Sequence, residues 1–159
     1  MRHTISVLVE NEFGVLSRVA GLFSGRGFNI ESLCVAETLE PSVSRMTIVT
    51  RGNEQILEQI MKQLNKLINV IKVIDFQKGE CVEREMALIK VSVDDKNRSE
   101  ILSIVDIFRG KVVDVSPKYY TVEMTGDDSK IKALIDLLQP MGIKEVVRTG
   151  KVAIARGSK

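Results

Sequence analysis

Two amides and one glycine form the constellation in this chain that best suits small-molecule chemistry. Asn11 and Gly14 flank a short polar turn, Asn11-Glu12-Phe13-Gly14, and Asn29 follows the glycines of Gly25-Arg26-Gly27. The first N–H groups of a helix have no intrahelical partner and carry the positive end of its dipole, so a helix opening at Gly14-Val15-Leu16 suits a carboxylate. Gly14 has no Cβ to hold a ligand away from the backbone. The side-chain carbonyl of Asn11 can accept from an ammonium group, and Asn29 can add a second amide if a dimer brings it in from a partner chain. Carboxylate, ammonium and a small apolar body together describe an α-amino acid. The same residues also satisfy a purely structural reading, with an Asx turn at Asn11, a tightened helix start at Gly14 and Asn29 following a glycine cap. On local composition alone the structural reading is the favoured one.

Other chemistry finds less support. The single histidine, His3, falls at the start of a strand and reads as an exposed terminal residue, and no Ser, His and Asp set assembles without it. Asp94-Asp95 and Asp127-Asp128 fall in turns, where caps account for them better than general acid and base roles. There is no phosphate-loop glycine pattern and no Cys and His cluster at metal-ligand spacing. Gly25-Arg26-Gly27 ends a helix, whereas a phosphate site opens one. Cys34 and Cys81 lack CxxC spacing and read as reduced thiols, Cys34 as a small packing residue in a strand. The residues give no catalytic set, no metal site and no cofactor site in this chain.

The elements that must hold the joint follow from periodicity. Thr4 to Glu10 alternates as a strand with Ile5, Val7 and Val9 on one face and Leu8 interrupting the polar one. Val15, Leu16, Val19, Leu22 and Phe23 recur at helical spacing up to Gly25. Asn29 to Thr38 and Val43 to Thr50 read as strands around a hairpin loop at Leu39 to Ser42. Asn53 caps a helix whose apolar stripe is Ile56, Leu57, Ile60, Met61, Leu64, Leu67 and Ile68, and Val70 to Phe76 is a fourth strand. The pattern then repeats: strand Met86 to Val93, helix Arg98 to Phe108, strands Lys111 to Val115 and Tyr119 to Thr125, helix Ser129 to Leu138, strand Lys144 to Arg148, and an extra strand at Val152 to Ala155. The fold class is α+β, with two tandem βαββαβ ferredoxin-like modules whose antiparallel sheets carry their helices on one face. The boundaries are 1–77 for the first module, 78–85 for a linker and 86–159 for the second.

A module of this size leaves one sheet face and an edge strand open, which suggests edge-to-edge joining in a symmetric dimer. The formal charge of +2 creates no broad basic field for nucleic acid or membrane. RNA-binding relatives of this architecture stack bases on aromatics in the central strands, and Thr4 to Glu10 and Val43 to Thr50 contain none. No targeting segment and no membrane-length apolar run is present, so a cytoplasmic location is expected.

The run Asn11-Glu12-Phe13-Gly14-Val15-Leu16-Ser17-Arg18-Val19, followed by Gly21-Leu22-Phe23-Ser24-Gly25-Arg26-Gly27-Phe28-Asn29-Ile30-Glu31-Ser32-Leu33, resembles the first ACT domain of the regulatory (small) subunit of acetolactate synthase, or acetohydroxyacid synthase. The likeness continues through Ser44-Arg45-Met46-Thr47, Val82-Glu83-Arg84-Glu85, Ile107-Phe108-Arg109-Gly110 and Ala155-Arg156-Gly157. It implies a non-catalytic subunit that binds and activates the large, thiamine-diphosphate-dependent subunit. It also implies feedback inhibition by valine or another branched-chain amino acid, in the pathway to valine, leucine and isoleucine. Thiamine diphosphate, magnesium and FAD would belong to the large subunit. The family's effector residues fall on Asn11, Gly14 and Asn29, with Val15, Leu16 and Ile30 supplying backbone groups and apolar wall. Phe13 stands where the family pattern has proline or a small residue. The alternative is a free-standing amino-acid-sensing ACT protein without a catalytic partner.

Overall fold

The structure is a computed structural model that describes residues 1–77 and 79–157. The chain divides into two compact units, one comprising Met1–Val82 with the stretch beginning at Lys151, the other Glu83–Gly150.

The first unit runs β1 (Arg2–Glu10), α1 (Val15–Gly25), β2 (Ile30–Glu37), β3 (Val43–Arg51), α2 (Glu54–Lys66) and β4 (Val70–Phe76). Its strands form an antiparallel sheet in the order β2-β3-β1-β4. The predicted alternation holds: Ile5, Val7 and Val9 pack with Val15, Val19 and Phe23 of α1 and Leu57, Ile60 and Leu64 of α2. Each such side chain contributes about 1.5–3 kcal/mol when fully buried. Asn53 caps α2 by accepting from the Ile56 N–H at 2.9 Å, as its position before the apolar stripe implies.

Three expectations for this unit change. His3 is buried, not frayed, and its Nε2–H donates to the Gly52 carbonyl at 3.0 Å, because β3 runs alongside β1 as far as Arg2. Ile68 lies outside α2, which stops at Lys66; the residue belongs to the helical period but not to the helix, and it points into solvent. The face of the sheet opposite the helices is not open. Ser6, Thr47 and Val49 are buried there, and the Lys151 N–H donates to Ser32 Oγ on the same face at 3.0 Å.

The second unit holds α3 (Arg98–Ile107), β6 (Lys111–Val115), β7 (Tyr119–Gly126), α4 (Asp128–Leu138) and β8 (Ile143–Arg148), with β5 (Cys81–Ser92) beginning at its border. Its sheet has the order β6-β7-β5-β8, the same topology as the first, and β9 (Val152–Ala155) pairs with β5 off that path. Ala87, Ile89, Val91, Ile101, Val105, Val122, Met124, Ile131 and Leu134 make its core. Asp127 caps α4 through the Lys130 N–H.

The expected linker at 78–85 is largely strand. Lys78 lies outside the described residues, but β5 already starts at Cys81, and Glu80 accepts from the Arg156 N–H at 2.9 Å. The pairing partner is distant in sequence, so no local pattern announces it. For the same reason the segment after Gly150 groups with the first unit and not with the second; residues 158 and 159 lie outside the described residues.

Candidate functional site

The β1–α1 joint is built by its own backbone. Glu12 N–H turns back to the Glu10 carbonyl at 3.0 Å, and Asn11 N–H reaches the Ser42 carbonyl of the β2–β3 hairpin at 2.8 Å. Gly14 then precedes α1 with φ 83° and ψ −3°, left-handed values that glycine adopts freely. A helix usually begins after an extended Ser, Thr, Asp or Asn whose side chain caps it. Here no side chain caps α1, and its first turn holds no acidic residue. Among the described residues the N–H groups of Leu16 and Ser17 have no partner, so the positive end of the helix faces outward uncompensated.

Asn11 stands beside this helix start in a defined orientation. Its Nδ2 donates to the Pro41 carbonyl at 2.9 Å and to Glu37 Oε1 at 3.3 Å, which leaves the side-chain oxygen available as an acceptor. Glu37 and Pro41 are thus positioning residues that sequence reasoning did not single out. No local pattern points to them, because both lie across the sheet from Asn11. Gly14 is open to approach, since a Cβ built there meets no atom within 4 Å. Val15 is buried in the core and can offer only its backbone, whereas the Leu16 side chain is exposed and free to form a wall.

Asn29 is exposed just before β2, where its carbonyl accepts from Thr50 Oγ1 at 2.8 Å, and Ile30 packs against the core. The register sets it far from Asn11. Glu10 lies opposite Val43 and Ile30 opposite Thr50, at the two ends of β3, roughly 23 Å apart at the ordinary strand rise. Asn11, Gly14, Val15 and Leu16 come together in one chain; Asn29 and Ile30 lie at the other end of the same sheet.

Charges fasten that second end. Glu31 pairs with Arg2 of β1 and Arg51 of β3. Desolvation opposes its ionisation, but the hydrogen bonds and charges of the two arginines outweigh this and hold its carboxyl below the usual range. Asp75 of β4 behaves in the opposite way. Its Oδ1 is buried without a hydrogen-bond partner, and desolvation raises its pKa, with Glu54 and Glu80 adding to the rise and His3 opposing it.

The corresponding joint of the second unit is filled by its own residues. Asp94 Oδ1 accepts from the Lys96 and Asn97 N–H groups at 2.8 Å, and Glu100 occupies the first turn of α3. Lys144 Nζ lies over one face of the Tyr119 ring, 4.5 Å from its centroid. Among the described residues no group of three or more His, Cys, Asp or Glu side chains is disposed to hold a metal ion, and no helix is long and apolar enough to cross a membrane.

Two ferredoxin-like units in tandem, with a bare helix start after the first strand of the first, have the architecture of paired ACT domains. Residues 5–72 match a family profile described as the AHAS small subunit-like ACT domain, and residues 84–157 match the small subunit of acetolactate synthase. The chain belongs to the acetolactate synthase small-subunit family, the one that its motifs resemble. It is 54% identical over 158 residues to the probable acetolactate synthase small subunit of Methanothermobacter thermautotrophicus, covering 99% of this chain and 94% of that one. It is 55% identical over 156 residues to the acetolactate synthase small subunit of Aquifex aeolicus, covering 98% and 81%. The crystal structure of the acetolactate synthase small subunit from Thermotoga maritima superposes with a TM-score of 0.92 at 45% identity, covering 100% of this chain and 99% of that chain.

Proposed function

We propose that this small subunit is non-catalytic, activates the thiamine-diphosphate-dependent large subunit of acetolactate synthase, and confers feedback inhibition by valine in the cytoplasm. Thiamine diphosphate, magnesium and FAD belong on this reading to the large subunit. The observation that carries it is the uncapped start of α1 beside the free carbonyl of Asn11. Valine carboxylate meets the N–H groups from Gly14 to Leu16, its ammonium group meets Asn11, and its isopropyl group rests against Leu16.

The register supports completion of the site by a second chain. β2 is an edge strand, and antiparallel pairing with the β2 of another copy sets the start of one strand against the end of the other. The end of β2 is Glu37, which accepts from Asn11. The partner's Asn29 and Ile30 then arrive beside the joint from which they are separated within one chain. A ligand held between two chains favours one arrangement of the dimer by at most its differential affinity, typically about 1–3 kcal/mol, and passes that bias to the attached large subunit.

Reconstitution tests the reading. The purified chain mixed with its large subunit raises acetolactate formation, and valine lowers it again. A chain that neither binds nor activates the large subunit removes the proposal.

A further inference from the structure

The three most exposed large apolar side chains among the described residues are Leu39, Phe13 and Ile68, at 104%, 103% and 94% exposure. They share one end of the first unit. Leu39 tips the β2–β3 hairpin, Phe13 the β1–α1 turn and Ile68 the α2–β4 turn, so they form a row across the sheet, roughly 10–15 Å long at ordinary strand spacing.

The three turns are fastened to one another through Glu10 and Asn11. Asn11 holds the hairpin through the Ser42 and Pro41 carbonyls. Glu10 N–H donates to the Asn69 carbonyl at 2.9 Å, and Asn69 Nδ2 returns a bond to Glu10 Oε2 at 3.1 Å. Arg18 of α1 donates to Asn69 Oδ1. Isolated exposed apolar residues are ordinary on any surface, but three fully exposed tips on tied loops make a prepared contact surface.

We propose that this loop end docks the catalytic large subunit, a proposal that rests on the regulatory reading above, and that it fits a partner face with apolar pockets and a basic rim. The charge around the tips selects that occupant. Glu12, Glu37 and Glu40 are exposed beside them, and the nearby cations include Arg18, which is engaged by Asn69, and Lys66, exposed at the close of α2, so acidic side chains outnumber basic ones around the tips. A second copy meeting this end with its own would bring these carboxylates face to face, which like-charge repulsion disfavours. Asn11 belongs both to the proposed effector site and to the tie that holds the hairpin, so an amino acid bound there acts directly on the docking surface.

The test uses the full chain and the purified large subunit. The double variant Leu39→Asp/Ile68→Asp alters no residue of the effector site. It binds the large subunit at least a hundredfold more weakly than wild type and loses activation in proportion. Calorimetric valine binding and the mass of the isolated dimer stay unchanged. If circular dichroism shows that this variant fails to fold, Leu39→Ser and Ile68→Ser separately decide, each weakening the complex about tenfold. Wild-type affinity in the folded variants overturns the proposal. So does a variant that loses self-association but keeps the large subunit, since the surface then joins copies of this chain. A wild-type chain that itself fails to bind the large subunit overturns the regulatory reading, a result separate from either of these.

Discussion

Replacing Gly14 by aspartate separates backbone strain from charge at the proposed effector joint. The residue sits at φ 83°, where an L side chain costs about 1–2 kcal/mol, yet a Cβ there meets nothing within 4 Å, so no steric penalty adds to the strain. A carboxylate at the start of α1 returns about 0.3–1 kcal/mol through the helix dipole, leaving a folded protein roughly 1 kcal/mol less stable. The ligand suffers far more. On the proposed function the new carboxylate competes for the N–H groups assigned to valine, and two charge-assisted hydrogen bonds at about 1.5–3 kcal/mol each predict at least a hundredfold loss of affinity. Gly14→Ala shares the strain without the charge and weakens valine binding no more than about tenfold. Calorimetry on the isolated chain and acetolactate formation by the reconstituted complex read the two variants. Gly14→Asp remains able to activate the large subunit but resists valine. Should Gly14→Asp bind valine within threefold of wild type, the carboxylate does not lie at the start of α1.

Three further outcomes follow from the same structure. Asn29→Ala weakens valine binding while sedimentation shows an intact dimer; an unchanged titration removes Asn29 from the site. Asp75→Asn raises the melting temperature at neutral pH, because a carboxyl with a raised folded-state pKa destabilises the fold once it ionises. That gain shrinks as the pH falls towards the ordinary aspartate value, where both states are protonated, and a gain equal at pH 4 and pH 7 contradicts the assignment. Asn53→Ala removes the α2 cap and costs about 1 kcal/mol in urea unfolding, leaving valine affinity unaltered.

The elements were readable where local periodicity and burial agree. Val15, Val19 and Phe23 lie on the predicted inner face of α1, and Asn53 and Asp127 cap the helices before which they stand. Local pattern misleads where a distant segment decides the outcome. Cys81 to Glu85 carries charges that resemble a linker, but it opens β5, the strand with which the distant β9 pairs. Ile68 keeps the helical period after α2 has ended, since period alone does not register a terminus. At the joint, Asn11 and Gly14 were visible as residue types, whereas the bonds from Asn11 to Glu37 and Pro41 depend on how a hairpin folds across the sheet. Composition alone gave no reason to prefer a ligand over an Asx turn. The orientation of the Asn11 amide and the uncapped helix beside it supply that reason.

The return of the chain to its first unit after Gly150 affects the order in which the protein is made. On the ribosome, β1 to β4 emerge and can collapse on their helices long before Lys151 is added, but Ser32 lacks its partner N–H until then. Domains fold largely as they emerge, and the four strands of the first sheet are all present once β4 has left the ribosome. What the last segment adds, after synthesis of 83–150, is a late fastening of an already paired sheet through the Lys151 N–H on Ser32 Oγ.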